Sequence, residues 1–172
     1  MLIRVAPDDE FLVKQSVSVL QKCFGTVALE FRLTRENNPS NPAFIDEASF
    51  KDHLKKDVEF YLCFEERKPA GCIAIERSPQ DSTLFYIERV GVMPQFRHRK
   101  LGRKLIGNAF DKILELGGNR VSVGIIDQNV RLKNWYLEQG FSQMSVKKID
   151  HLPFDVCFLE RSLNKGDLIS AD

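Results

Sequence analysis

The sequence predicts one mixed α/β domain, and three observations carry that prediction. Its 172 residues leave room for one core and not for two. The composition, 43% hydrophobic and 28% charged with 13 Phe, supplies enough apolar surface to offset the ordering entropy of folding, which argues against a disordered chain. The hydrophobic pattern alternates between helical spacing and strand alternation along the chain, with no internal repeat.

Leu2–Val5 reads as a short first strand. Asp8 or Asp9 is placed to cap a helix running to about Cys23, with Phe11, Val17, Leu20 and Phe24 on its apolar side. A second short helix is expected from Val27 to Leu33, then a turn-rich loop over Glu36–Pro42 and a helix over Glu47–Lys56 carrying Phe50 and Leu54. From Glu59 the period changes. Glu59–Phe64, a charged turn at Glu65–Lys68 and Ala70–Glu76 form a hairpin pattern, and Thr83–Val92 supplies the next strand. A helix bearing Leu105, Ile106, Ala109, Phe110, Ile113 and Leu116 on one face stops at Gly117-Gly118. Arg120–Ile126 is a strand, Val130–Gln139 a short helix ended by Gly140, and Ser142–Ile149 and Asp155–Leu163 are the last strands.

Charge and cysteine usage narrow the function classes. Twenty-five basic residues nearly balance 24 acidic ones, so the surface as a whole gives no reason to expect a polyanion or an anionic membrane as partner. Cys23, Cys63, Cys72 and Cys157 include no CxxC pair, which suits free thiols in a reducing cytosol. The start, Met1–Asp9, lacks an apolar leader core, and no apolar run is long enough to span a bilayer. A cytoplasmic protein with no membrane contact is the expectation. The three His and the unclustered Cys offer no metal-ligand spacing, so no metal is expected.

The segment Val92-Met-Pro-Gln-Phe-Arg-His-Arg-Lys-Leu-Gly102 lies between a strand and an amphipathic helix. Free backbone N–H groups and the positive end of a helix there stand beside Arg97, Arg99, Lys100, Arg103 and Lys104, a combination suited to a pyrophosphate. Gly102, without a Cβ, would let the backbone approach phosphate oxygens. An ordinary solvated connection would read the same way from the charges alone. Nucleic-acid binding through this run is disfavoured, because without its five cations the chain keeps 20 basic against 24 acidic residues.

Val92-x-Pro94-x-Phe96-Arg97-x-x-Lys100-Leu101-Gly102-Arg103-x-Leu105 resembles the acyl-CoA motif of the GNAT acyltransferases, V-x-P-x-Y-R-x-x-G-x-G-R-x-L. Lys100 stands where that family usually has its first glycine. Asn129-Val-Arg-Leu-Lys-Asn-Trp-Tyr136-Leu-Glu-Gln-Gly140-Phe141 is similar to the family's N-x-x-A-x-x-L-Y-x-x-x-G-F helix, with Leu132 in place of Ala. The two motifs follow in the family's order, and the resemblance is firm over residues 84–141. It implies a single GNAT domain over 1–172, with a mostly antiparallel central sheet flanked by helices on both faces.

The implied activity is acetyl transfer from acetyl-CoA to an amine, on a small molecule or a peptide, by direct transfer in a ternary complex; a non-catalytic acyl-CoA-binding module on the same fold is the alternative. The implied donor contacts are the backbone of Val90 and Val92, then Arg97, His98, Arg99, Lys100, Leu101, Gly102 and Arg103. Asn129 is a donor ligand, a helix N-cap or both. Tyr136 matches the family's general acid, although by spacing alone it reads as core. Glu88, on Phe85–Val90, is the leading general base, with a solvated or Arg89-paired carboxylate as the other reading. His98 reads as a phosphate or solvent contact. Phe31, Phe44, His151 and Phe154 are candidates to line the acceptor pocket, and a monomer or homodimer is expected.

Overall fold

The computed structural model describes residues 1–164 and Gly166. The elements run β1 (Leu2–Arg4), α1 (Glu10–Glu30), α2 (Glu47–Leu54), β2 (Val58–Glu65), β3 (Lys68–Arg77), β4 (Leu84–Val92), α3 (Leu101–Glu115), β5 (Arg120–Ile126), α4 (Val130–Glu138), β6 (Ser142–Lys148) and β7 (Asp155–Ser162). All seven strands join one sheet in the order β1-β2-β3-β4-β5-β7-β6. Every neighbouring pair is antiparallel except β4 and β5. The last residues of the 1–172 span expected for the domain lie outside the described residues.

α1 departs from the expectation of two helices: it continues through Gly25 to Glu30. A Cβ at Gly25 would meet nothing, so this glycine costs only its backbone freedom, about 1 kcal/mol. Burial of Cys23 and Ala28 on either side outweighs that. Asp9 caps the first turn by accepting from Leu12 N at 2.9 Å. The helix ends with Arg32 left-handed at φ 53 and Leu33 N donating to Ala28 O at 2.8 Å, a Schellman closure. Phe11, expected on the apolar side, is instead 66% exposed, while Val13, Val17 and Leu20 carry the buried face.

Cross-strand register assigns the faces. Phe60, Ala74 and Glu88 lie in one row, and Phe60 meets Phe50 of α2 edge-on at 4.9 Å, so α1 and α2 cover this face. Gly71 and Val92 pair on the other face, where a Cβ on Gly71 would lie 3.2 Å from Leu105 of α3 and 2.6 Å from the Gly91 carbonyl. α4 shares that face, since Phe110 of α3 meets Phe141 at 6.0 Å and Phe141 meets Tyr136 at 5.2 Å. Helices therefore flank both faces, as the resemblance implied.

Candidate active site

β4 and β5 pair only at Leu84–Arg120, Phe85–Val121 and Tyr86–Ser122. Beyond these pairs β4 runs on to Val92 beside β3 and β5 runs on to Ile126 beside β7. The outer edge of β4, including Val90 and Val92, thus borders a wedge in the sheet. Both parallel strands lead at their C-terminal ends into helices, α3 and α4, and ligands gather at such positions in α/β sheets.

The connection from β4 to α3 begins with a 3-10 turn at Pro94–Phe96. His98 (φ 62) and Lys100 (φ 60, ψ 7) are left-handed in it. Lys100 is the N-cap of α3 and makes no side-chain cap hydrogen bond, so the first amides of α3 keep their donors for an outside acceptor. Lys100 thus holds a left-handed backbone, the conformation glycine adopts most readily, at the position where the motif it resembles has glycine. A chain that turns through left-handed residues in this way makes an anion-binding concavity.

The five basic side chains of this run take different roles. Arg97 is committed to the protein: Nε donates to Val92 O at 3.1 Å, and Nη2 donates to Cys23 O at 3.3 Å and Thr26 Oγ1 at 2.8 Å. It ties the end of β4 to α1. Arg99 lies over the Phe96 ring at 5.7 Å, Arg103 Nε donates to Gln139 Oε1 at 3.2 Å, and Lys104 is 3.9 Å from Glu65. Lys100 is exposed and forms no ion pair among the described residues. Leu101 is buried beneath the loop.

Gly102 is constrained by packing. A Cβ there would sit 3.3 Å from the Trp135 ring and 3.8 Å from Val92, so α3 and α4 meet across this glycine. Trp135 stands edge-on to Tyr136 at 4.9 Å. Tyr136 is buried, and that burial pushes its phenol above the ordinary tyrosine range. Asn129 is the N-cap of α4, its side chain accepting from Leu132 N at 3.1 Å; as a buried residue at the head of β5 it also borders the wedge.

Glu88 lies on the α1/α2 face of β4 and makes no salt bridge among the described residues. Burial raises its carboxyl above the usual carboxylate range, and Glu76 adds to this, while Arg89 and Lys56 oppose it. Just after it β4 bulges: Ala74 faces Glu88 and Cys72 faces Gly91, which leaves Arg89 and Val90 opposite Ile73. Arg89 is left-handed at φ 52 and turns its Nε to His53 Nε2 at 3.1 Å. His53 was invisible to sequence reading, because nothing in the pattern of α2 marks it. Glu88 and Tyr136 belong to opposite faces of the sheet.

Of the residues expected near the acceptor, Phe31, Phe44 and Phe154 are half-buried and His151 is exposed. Phe44 lies under the Arg35 guanidinium at 5.4 Å. The four cysteines are buried and free, and burial pushes the Cys23 thiol up to about 12, which suits core packing and not nucleophilic chemistry. Among the described residues no group of three His, Cys, Asp or Glu is placed to hold a metal ion, and no helix is long and apolar enough to cross a membrane.

Comparison with known proteins adds to this geometry. Residues 22–141 match the model of the acetyltransferase (GNAT) family. An uncharacterised N-acetyltransferase from the pepI 3' region of Lactobacillus delbrueckii subsp. lactis is 25% identical over 122 residues, 64% of this chain and 70% of that protein. An acetyltransferase from Thermus thermophilus superimposes with a TM-score of 0.72 at 16% identity, covering 95% of this chain and 96% of its own. The ribosomal-protein-S18-alanine N-acetyltransferase of Escherichia coli gives 0.70 at 12% identity, covering 95% and 94%.

Proposed function

This chain belongs to the GNAT acetyltransferase family and is an acyltransferase; from that premise we propose that it transfers an acetyl group from acetyl-CoA to an amine, in the cytoplasm, by direct attack within a ternary complex. The observation that carries this reading is the wedge between β4 and β5, with a basic left-handed loop and the free first amides of α3 at its head, a carboxylate raised by burial on one face and a buried phenol on the other.

In this reading the donor's pantetheine arm lies along the free edge of β4 at Val90 and Val92 and beside Asn129. Its pyrophosphate rests on the amides from His98 to Arg103, with Arg99, Lys100 and Arg103 supplying charge. Leu101 and Gly102 shape that cradle, and Arg97 holds it by seating the loop on α1. The acceptor enters from the α1/α2 face. Glu88 takes one proton from its ammonium form, directly or through water, and the freed nitrogen lone pair attacks the thioester carbonyl carbon. As the C–N bond forms and the C–S bond breaks, Tyr136 gives its proton to the departing thiolate, and the second proton of the nitrogen passes through water to the phenolate, so that a neutral amide and free CoA thiol leave. The raised affinity of Glu88 for protons makes it a stronger base than an ordinary carboxylate, and the raised phenol keeps its proton until the thiolate needs it.

Acetyl-CoA and CoA are titrated separately while thermal stability is followed. A ligand at one hundred times its Kd adds about 2.7 kcal/mol. A shift, followed by turnover with a panel of small amines, amino acids, aminoglycosides and peptides that falls at least a hundredfold in Glu88→Gln and Tyr136→Phe, supports the reading. Binding without turnover on any amine selects the non-catalytic module, and no shift with any acyl-CoA defeats the donor site.

A further inference from the structure

The reaction outlined above leaves out the side chains next to its base. Arg89 follows Glu88 in sequence and, being left-handed at the β4 bulge (φ 52), turns away from the regular strand direction. Its Nε donates to His53 Nε2 at 3.1 Å, while its Nη1 is buried without a partner. A guanidinium so placed is a strong donor short of an acceptor. The carboxylate that acts on it most strongly is Glu88, its own neighbour, yet no salt bridge joins the two.

We infer that His53 and Arg89 are a positioning pair for Glu88: the imidazole of α2 holds the Arg89 guanidinium away from the carboxylate, leaving Glu88 free to take the acceptor's proton. Arginine and a carboxylate at close range form a bidentate pair by preference, and a carboxylate so paired is a poor base. His53 prevents this by offering a lone pair at Nε2, which assigns the ring hydrogen to Nδ1. Burial and the cations Arg89 and Lys56 hold His53 neutral, its ionisation pushed down to about 4, so the lone pair persists at physiological pH. The charged groups facing Glu88 are then Glu76 from β3, Lys56 from the turn after α2 and Arg89 from its own strand. The inference rests on Glu88 as the base.

The test is the titration of Glu88 in the full chain, labelled with carboxyl-13C glutamate, the resonance being assigned by its loss in Glu88→Gln. In His53→Ala the freed guanidinium turns onto the carboxylate and the Glu88 midpoint falls by about one pH unit or more. His53→Gln, which keeps an acceptor in place, restores the wild-type midpoint. Arg89→Gln removes the cation, and the midpoint rises. An unchanged midpoint in His53→Ala, or shifts of the same sign in His53→Ala and Arg89→Gln, would overturn the inference. If His53→Ala does not fold, His53→Leu, which keeps the bulk and removes the acceptor, takes its place: a fall in the Glu88 midpoint supports the pair and an unchanged midpoint defeats it. Acetyl-CoA is titrated into the same wild-type sample. Failure to bind it would defeat the donor reading while the Glu88 titration still judges the pair.

Discussion

Replacing Lys100 by glycine isolates what this position contributes through backbone and through charge. The residue sits at φ 60, ψ 7 at the start of α3, a conformation that costs a side-chain-bearing residue about 1–2 kcal/mol. Glycine removes that cost but brings a more flexible unfolded chain, worth about 0.5–1 kcal/mol in the opposite sense. The net expectation for Lys100→Gly is a gain of about 0.5–1 kcal/mol. Lys100→Ala keeps the left-handed cost and removes no ion pair, so it stays within about 0.5 kcal/mol of wild type. Urea unfolding measures both, an unchanged m-value being the sign that the surface exposed on unfolding is the same and that the midpoint reports stability. The same variants report on the loop as an anion site: loss of one exposed cation at a helix N-terminus costs about 1 kcal/mol or less, so Kd for CoA rises about fivefold at most. If Lys100→Gly lowers stability, or equals Lys100→Ala, the left-handed backbone is not what the motif position demands.

Two further outcomes follow from side chains already described. Arg97→Lys keeps a positive charge but loses most of the hydrogen bonds to Val92, Cys23 and Thr26; stability should fall by about 2 kcal/mol while CoA affinity, measured well below the melting temperature, changes less than threefold, and the opposite split would make Arg97 a phosphate ligand. His53 ionises near 4 in the fold against 6.5 ordinarily, so the native state binds fewer protons: its stabilising contribution is full above pH 6.5 and is lost as pH falls toward 4. Discounted for its partial exposure this amounts to about 1–2 kcal/mol. Glu88, with its raised carboxyl, acts in the opposite sense, so the difference between wild type and His53→Gln across pH 4–6.5 isolates His53, and identical pH profiles would refute the assignment.

Much of the fold is legible in the sequence because local signals agree with the tertiary outcome. The hairpin of β2 and β3 shows itself through alternation and a charged turn, and Glu66 and Arg67 are indeed left-handed there. Gly117 and Gly140, at φ 82 and 81, end α3 and α4 as helix stop signals predict. The full length of α1 is not legible, because a glycine and a threonine in mid-helix look like a break in sequence, whereas burial on both sides carries the helix through. Nor is the exposure of Phe11, because hydrophobicity alone does not say where a helix's covered arc begins. At the site, the motifs locate the loop and the α4 helix, but a run of cations does not tell which guanidinium turns inward, and Arg97 does. The contact between His53 and Arg89, 36 residues apart, depends on how α2 packs on the sheet, and no periodicity encodes that.

The three-pair seam between β4 and β5 also divides the molecule mechanically. On one side stand four strands, with α1 and α2 on one face and α3 over β3 and β4 on the other; on the other side are three strands. Main-chain hydrogen bonds of the sheet are few at this boundary, so the two halves form natural units for independent breathing, and amides along the open edge of β4 should exchange with solvent sooner than those of β3. A ligand lying in the wedge would act as an eighth, non-peptide strand. It would complete the ladder, join two cooperative units into one, and make substrate occupancy a determinant of how the whole domain resists unfolding.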